Sequence, residues 1–268
     1  MKKILLINDV VGYSHVGMVA MMPILTYLGH QTFNLPTALV SNTLDYGRFN
    51  VLETTAYMRG TIPVWEELGF GFDAACTGLT FGEEQARIVI DYCKRLRRGG
   101  TTIFVDPIMG DGGRLYNGIT RRQVELMREM VSISDLTFPN YTEACYLSGM
   151  DYRSEGLGGA DARRMLDSIA ALGARSVIVT SARVDGQSCV IGIDGGQYFQ
   201  LDYDEIPVAF HGTGDIFSAV LTGHLLRGES LQESTRKAMT VVSALIDRNR
   251  DQADKLGGIP IERCLDLL

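Results

Sequence analysis

The chain has 268 residues, of which 46% are hydrophobic, and a formal net charge of −7 at pH 7. This length and composition allow a large buried core, and the acidic balance argues against nucleic acid or an anionic membrane as the main partner. No apolar run reaches the roughly 18 residues that cross a bilayer. The five cysteines are scattered, so we expect a cytoplasmic protein with reduced thiols, without a disulfide framework or a zinc site.

Short apolar runs alternate with segments of helical periodicity along the chain. The apolar runs predict strands over residues 4–7, 31–34, 74–77, 102–105, 136–138 and 176–180. Helical spacing predicts helices over residues 17–28, 83–97 and 160–172, and from Gly214 almost throughout to about Arg248. Asp194-Gly195, between apolar runs, predicts a hairpin. The alternation favours a mostly parallel sheet with helices on both faces, and the lack of a linker or repeat predicts one domain over residues 1–268.

A glycine-rich segment, His211-Gly212-Thr213-Gly214-Asp215, precedes the last helical region. Two glycines around a threonine allow a tight turn whose N–H groups join the positive end of a helix dipole and bind an anion. We expect a positive φ at Gly214, where an added Cβ would approach that anion. A carboxylate beside an anion makes sense if the anion is a phosphoryl group in transit and Asp215 takes a proton from the attacking hydroxyl. The alternative is that Asp215 is a helix N-cap.

Polar loops follow several of the predicted strands. They contain the pairs Asn8 and Asp9, Asp106 and Asp111, Asn140 and Glu143, and Thr180 and Ser181. In open α/β sheets, ligands bind beyond the carboxyl ends of the strands, so we expect these loops to line one crevice. Each loop also has a purely structural interpretation: Asn140 and Glu143 have the spacing of a helix capping box, and Asp106-Pro107 is typical of a turn.

Taken in order, these motifs resemble those of the ribokinase-like superfamily, and within it those of the pyridoxal kinase family. Residues 106–111 resemble the Asp-Pro-Val-Met-Gly-Asp stretch of its vitamin-phosphorylating members, and residues 212–215 resemble its anion hole and catalytic base. The resemblance implies a three-layer α/β fold with a central, mostly parallel sheet. It also implies a homodimer that uses ATP and Mg²⁺ to phosphorylate the 5′-hydroxymethyl group of a vitamin B6 vitamer.

The resemblance assigns roles to individual residues. Asp215 would be the general base, and the N–H groups of Gly212, Thr213 and Gly214 would stabilise the transferred phosphoryl group. The ATP-binding residues would be Asp106, Asp111, Asn140, Glu143, Thr180 and Ser181. Mg²⁺ would bind, largely through water, near Asp106, Asp111 and Glu143. The alcohol substrate would contact Asp9, Tyr13, Val16, Ser41, Leu44, Leu79 and His211.

Three of these positions depart from the pattern of pyridoxal kinases. Asp9 stands where a serine usually contacts the pyridine ring, Leu44 replaces a ring-contacting threonine, and Leu79 stands where a pocket tyrosine is often found. If Asp9 faces an amine on the ring, pyridoxamine is expected to be preferred over pyridoxal because of a charge-assisted hydrogen bond. The alternative is that Asp9 only caps the loop after the first strand.

Other functions are open to the same motifs. Asp9 also resembles the Ser-Asp pair of hydroxymethylpyrimidine kinases, so such an enzyme, or another ribokinase-like small-alcohol kinase, is the main alternative. A sugar kinase is disfavoured because Val10, Val16 and Leu79 are too apolar to bind several hydroxyl groups and suit a flat aromatic ring. A non-catalytic nucleotide-binding protein would not need Asp215, which this chain retains.

Overall fold

The computed structural model describes residues 1–116 and 118–268. The elements of the first half are, in chain order, β1 (Lys3–Ile7), β2 (Val10–Tyr13), α1 (Met18–Tyr27), β3 (Gln31–Asn34), β4 (Ala38–Asn42), β5 (Val51–Glu53), α2 (Thr55–Glu67), β6 (Ala74–Thr77), α3 (Gly82–Arg98), β7 (Thr102–Val105), β8 (Gly110–Asp111), β9 (Arg114–Leu115) and α4 (Arg121–Ser132). They are followed by β10 (Leu136–Thr137), α5 (Tyr141–Ser148), α6 (Gly159–Ala170), β11 (Ser176–Val184), β12 (Gln187–Asp194), β13 (Gln197–Asp202), α7 (Thr213–Leu226) and α8 (Leu231–Arg248).

The chain divides into two units, one of residues 1–76 with 206–268 and one of residues 77–205. In the first unit the strand order is β6-β1-β3, and β1 pairs in parallel with β3. Residues 4–7 of β1 are fully buried, as an apolar run in a parallel sheet should be. Helix α7 packs against α1 and α8. The segments that follow β1 and precede α7 are therefore attached to buried elements of this unit.

A smaller sheet in the first unit has the order β2-β4-β5. Strand β2 runs parallel to β4, whereas β5 is antiparallel to it. Leu39 and Leu52, which lie opposite each other in this sheet, are 45% and 61% exposed. The sequence did not predict these strands, because they are only three to five residues long and half of their side chains face solvent.

The second unit has the strand order β13-β12-β11-β10-β7. Strands β7, β10 and β11 are parallel, and β12 and β13 form antiparallel pairs at the edge. The predicted hairpin is confirmed, but its turn lies one residue further on, at Gly195 and Gly196, whose φ angles are 54° and 84°. A two-residue hairpin turn with two positive φ angles favours glycine at both positions, so the turn does not include Asp194.

The predicted α/β fold with a mostly parallel sheet flanked by helices is confirmed. Two boundaries differ from the prediction. Strand β11 continues past Thr180 to Val184 through a bulge between Val179 and Ala182, and the last helical region is divided into α7 and α8 at Gly228. No helix in the described ranges is long and apolar enough to cross a membrane. The single domain over residues 1–268 stays a prediction.

Candidate active site

The N-terminal turn of α7 lies in the first unit and contains the glycine-rich segment. Gly212 is the N-cap, with φ 82°, and an added Cβ there would lie 2.5 Å from the carbonyl oxygen of His15. The positive φ is therefore at Gly212, and the expectation that it would be at Gly214 is wrong. Gly214 is helical, and an added Cβ there meets no heavy atom within 4 Å. Since the first N–H groups of a helix have no partner within it, this turn has the donors that an anion hole needs.

Asp215 lies within the first turn of α7 and is not its N-cap, so the capping alternative is wrong for this residue. Its Oδ1 accepts a hydrogen bond from Asn8 Nδ2 at 3.3 Å, and its Oδ2 accepts one from the backbone N–H of Gly17 at 2.8 Å. Burial raises the pKa of Asp215, and these two hydrogen bonds partly offset the rise. The result is a half-buried carboxylate of fixed orientation and increased basicity.

Asp9 is a second buried acid in the same unit, 8% exposed. Burial, and then the charge of Asp215, raise the pKa of Asp9 to about 7, while a hydrogen bond from its own backbone N–H lowers it. Gly17 lies between the two acids: it donates to Asp215, and an added Cβ on it would be 2.8 Å from Asp9 Oδ1. With φ at 58°, Gly17 can bring the backbone close to both carboxyl groups.

Two of the residues expected to contact the alcohol substrate lie beside the α7 turn. His211 immediately precedes Gly212, and Val16 is close enough that its Cγ1 would be 2.9 Å from a Cβ at Gly212. The His211 ring pairs with Asp45, Nε2 to Oδ2 at 2.5 Å. The structure thus brings Val16 and His211 together with the predicted anion hole.

Three other predicted pocket residues of this unit lie on or after the smaller sheet. Tyr13 is 66% exposed, and its ring meets that of Tyr46 edge-on, with centroids 6.2 Å apart. Leu44 is in the same short turn as Tyr46. Ser41 lies on the exposed face of β4, donates to Asn42 Oδ1 and accepts from the Asn50 backbone. The structure groups Tyr13 and Leu44 around Tyr46 and does not group Ser41 with them.

In the second unit, Glu143 is buried, and each of its carboxylate oxygens accepts a hydrogen bond from the backbone. Its Oε1 accepts from the Met109 backbone N–H at 2.9 Å, and its Oε2 accepts from the Asn140 backbone N–H at 2.9 Å. Asn140 in turn caps α5 by accepting from the Glu143 N–H, so the capping box is confirmed. Burial and then the charge of Asp106 raise the pKa of Glu143 well above its usual value. Two carboxyl groups therefore lie close together in a poorly hydrated environment.

The remaining predicted ATP-binding residues surround Asn140 to different degrees. Asn140 forms a parallel bridge with Thr180, and the Thr180 N–H donates to Pro139. Asn140 Nδ2 donates to the Gly110 carbonyl at 2.8 Å, which places the β8–β9 hairpin beside it. Asp111, on that hairpin, is exposed and accepts from the Gly112 N–H.

Ser181 lies at the β11 bulge, with a φ of 53° that is unusual for a serine. It lines a cavity of about 270 Å³ together with Tyr141, Tyr152, Arg153 and Arg183. Leu79, also in this unit, follows β6 in a segment without helix or strand. Within the described ranges, no group of three His, Cys, Asp or Glu residues is close enough to hold a metal ion directly.

Two residues to which the sequence assigned no individual role are central to the site. Asn8 and Gly17 hold the Asp215 carboxylate, yet neither belongs to the motif that contains Asp215. The signal for Asn8 was a polar residue directly after a buried strand, and for Gly17 a glycine that opens a helix. Both contacts with Asp215 join residues about 200 positions apart in the chain, and no local pattern reveals them.

Asp9 should make the stability of the fold depend on pH. Because its pKa is raised, Asp9 favours folding while it is protonated, and that contribution is lost as the pH rises from about 4, where the unfolded chain ionises, through about 7. Asp9→Asn should therefore gain more stability relative to wild type at about pH 8.5 than at about pH 5, and the difference should be at most about 3 kcal/mol. Chemical denaturation at the two pH values measures the difference.

The matched control is Asp266→Asn, which removes an exposed acid whose pKa is lowered by its hydrogen bond with Arg248. It should gain nothing at alkaline pH. An Asp9→Asn protein with the same relative stability at both pH values would contradict a raised pKa for Asp9.

Comparison with known proteins places this geometry in a family. The family model described as phosphomethylpyrimidine kinase matches residues 23–259. The chain is 30% identical to a pyridoxine/pyridoxal/pyridoxamine kinase of Bordetella avium, over 96% of this chain and 93% of that protein. A structure from Bacteroides thetaiotaomicron, provisionally named a phosphomethylpyrimidine kinase, was crystallised with pyridoxal. It is 32% identical to this chain with a TM-score of 0.93, and the match covers 99% of this chain and 95% of that one.

A more distant structure, pyridoxal kinase from Leishmania donovani in complex with ADP and pyridoxamine, is 22% identical with a TM-score of 0.85, and covers 99% of this chain and 95% of that one. At that identity it supports the fold alone. The family match and the Bordetella relative together confirm the resemblance found in the motifs. The chain therefore belongs to the phosphomethylpyrimidine kinase family of the ribokinase-like superfamily, and within it to the pyridoxal kinases.

Proposed function

We propose that this protein transfers the γ-phosphoryl group of ATP to the 5′-hydroxymethyl group of a vitamin B6 vitamer. The observation that carries the proposal is the Asp215 carboxylate, fixed by Asn8 and Gly17 at the N-terminal turn of a helix. A carboxylate at the positive end of a helix, where anions bind, suits a proton acceptor in phosphoryl transfer. The Bordetella avium relative and the pyridoxal-containing Bacteroides structure support a B6 vitamer as the acceptor.

In this mechanism Asp215 accepts the proton of the substrate hydroxyl as its oxygen attacks the γ-phosphorus. The bond from that phosphorus to the bridging oxygen breaks, and ADP leaves. A carboxylate has about four lone-pair sites, so the bonds from Asn8 and Gly17 leave acceptor positions for the hydroxyl. The N–H groups of Gly212, Thr213 and Gly214 would stabilise charge on the phosphoryl group in transit.

We assign ATP binding to the polar residues of the second unit, Asp106, Asp111, Asn140, Glu143, Thr180 and Ser181. The fit of Mg²⁺ rests on Asp106 and Glu143, because the charge of Asp106 raises the pKa of Glu143 and a cation beside the two carboxyl groups would relieve that repulsion. Carboxylate oxygens suit this hard cation, which retains several of its waters. When bound, Mg²⁺ would neutralise charge on the ATP phosphates.

The proposed reaction is tested by measuring ATP-dependent phosphorylation of pyridoxal, pyridoxamine, pyridoxine and hydroxymethylpyrimidine. Asp215→Asn should lower kcat by at least about 100-fold, the usual range for a general base, because the amide cannot take the proton. ATP affinity and thermal stability should be nearly unchanged. Turnover of hydroxymethylpyrimidine alone would replace the proposed substrate, and near-normal kcat in Asp215→Asn would remove Asp215 from its role.

Gly214→Ala should separate catalysis from stability. Its Cβ would enter open space in the empty protein, so the free energy of unfolding should stay the same or rise by up to about 1 kcal/mol from helix propensity. A bound phosphoryl group would use that space, so kcat/KM should fall by about 100-fold, as when an oxyanion donor is lost. Steady-state kinetics and thermal unfolding measure the two effects.

Gly223→Ala on the same helix is the matched control with the opposite outcome. Its Cβ would be 2.4 Å from Leu28 Cδ1, so it should lose about 1–3 kcal/mol of stability by overpacking and keep normal turnover where it is folded. If Gly214→Ala keeps full activity, the α7 turn does not contact the phosphoryl group.

Asp9 is proposed to select among vitamers. If the Asp9 carboxylate faces the 4-position of the vitamer ring, it accepts a charge-assisted hydrogen bond from the ammonium group of pyridoxamine. The aldehyde of pyridoxal has no such donor. The kcat/KM ratio of pyridoxamine to pyridoxal should then be about 10–100, and Asp9→Ser should lower it towards 1. Since Asp9 ionises near pH 7, the wild-type ratio should rise from about pH 6 to about pH 8.

Asp9→Ser is also the control for pH effects that arise from ionisation of the vitamers. Because this variant lacks the Asp9 carboxylate, its kcat/KM ratio of pyridoxamine to pyridoxal should not rise with pH as the wild-type ratio does. Equal ratios in both proteins would leave Asp9 as a loop cap, a role consistent with the hydrogen bond from its own backbone N–H.

We also propose that the protein is a homodimer. The exposed apolar side chains of the smaller sheet, Tyr13, Leu39 and Leu52, support a surface that a second copy would cover. Strand β5, which contains Leu52, is at one edge of that sheet. Sedimentation velocity reads the oligomeric state directly. The cytoplasmic location expected from the sequence stays a prediction.

A further inference from the structure

A short turn, residues 43–47, lies in the connection between β4 and β5. Two of its side chains contact residues that are distant in the sequence but lie in the same unit. Asp45 pairs with His211, Oδ2 to Nε2 at 2.5 Å, although the side chains are 66% and 36% exposed. The neighbouring Tyr46 hydroxyl donates to Asp254 Oδ2, also at 2.5 Å. The turn is thus attached at adjacent residues to two different segments.

Asp254, to which Tyr46 is attached, is held by further hydrogen bonds. Its Oδ1 accepts from the backbone N–H groups of Leu256 and Gly257, each at 3.1 Å, while Thr43 Oγ1 donates to the Leu256 carbonyl at 3.2 Å. The hydrogen bond from Tyr46 holds the pKa of Asp254 below its usual value. The segment around Leu256 is therefore a fixed support for one side of the turn.

The attachment at His211 leads directly to the predicted anion hole. His211 precedes Gly212, where an added Cβ would be 2.5 Å from the His15 carbonyl oxygen, so the backbone here packs closely against that of His15. On the other side, the ring of Tyr46 meets that of Tyr13. Asp45 and Tyr46 therefore connect Tyr13, Leu44 and His211, three residues of the proposed vitamer pocket.

We propose that Asp45 is a positioning residue that, by pairing with His211, holds the turn of residues 43–47 in the conformation that binds the alcohol substrate. The inference rests on the proposed function of the same site. An exposed ion pair contributes little to global stability, so its effect should be local. Ordering a loop before binding removes an entropic cost from the binding step. The pair should therefore affect the KM of the alcohol much more than kcat.

The test is a double-mutant cycle with Asp45→Asn and His211→Asn, each measured at saturating ATP. Asp45→Asn should raise the KM of the preferred vitamer about 3–10-fold, with kcat within about twofold and the melting temperature unchanged. His211→Asn should raise that KM at least as much, because the His211 ring also belongs to the proposed pocket. The double variant should be no worse than the worse single variant, since both remove one interaction. Independent, multiplicative effects in the double variant, or no change in KM, would overturn the proposal.

Asp266→Asn is the matched control, because it breaks an equally exposed ion pair, with Arg248, in the same unit. It should leave KM and kcat as in wild type. A rise in vitamer KM in this control equal to that of Asp45→Asn would mean that the effect is general and would overturn the positioning role.

Amide hydrogen exchange tests the same pairing without any substrate. The N–H groups of Tyr46 and Gly47 donate to Thr43 and Leu44 within the turn, and their exchange should be faster in both Asp45→Asn and His211→Asn but not in Asp266→Asn. Unchanged exchange would refute the pairing even if no vitamer is phosphorylated. A wild-type protein without vitamer activity but with faster exchange in both variants would refute only the proposed function and leave the pairing intact.

Discussion

The fixed position of the Asp215 carboxylate is the constraint on which the rest of the site depends. Its two hydrogen-bond donors, Asn8 and Gly17, lie 207 and 198 residues earlier in the chain, at opposite ends of the segment that joins β1 to α1 and contains β2. These bonds join that segment to the start of α7, and α1 packs against α7. The geometry of the base therefore depends on the packing of the first unit, because a displaced α1 would remove the Gly17 donor.

Glu143 shows that a structural and a functional interpretation of one motif need not exclude each other. The spacing of Asn140 and Glu143 predicted a capping box, and both capping hydrogen bonds are present. The second carboxylate oxygen, however, accepts from the Met109 backbone, and the charge of Asp106 acts on the same group. Capping fixes the orientation of Glu143, and a carboxylate of fixed orientation suits a site where a cation and phosphates bind.

The sequence predicted most accurately the strands whose side chains are apolar and buried. The strands over residues 74–77 and 102–105 have the predicted limits, because apolar runs in a parallel sheet are buried on both faces. The strand over residues 31–34 also has the predicted limits, although it is polar and partly exposed. The sequence missed the smaller sheet, whose short strands are half exposed, and it placed the positive φ at Gly214 although the backbone near His15 requires it at Gly212. The raised pKa of Asp9 was also beyond local patterns, since it arises from burial and from Asp215.

The two acids of the first unit have different protonation tendencies, and this difference gives them different roles. Two neighbouring carboxyl groups in a poorly hydrated place do not both ionise readily unless a cation is near. Burial raises the pKa of both acids, but the hydrogen bonds from Asn8 and Gly17 oppose the rise at Asp215, whereas the charge of Asp215 adds to the rise at Asp9. The charged form is therefore favoured more at Asp215, as a proton acceptor requires, and other enzymes separate the pKa values of paired acids in the same way. Asp9 then ionises near neutral pH or beside a cationic substrate, which links the choice of substrate to the charge of the catalytic base.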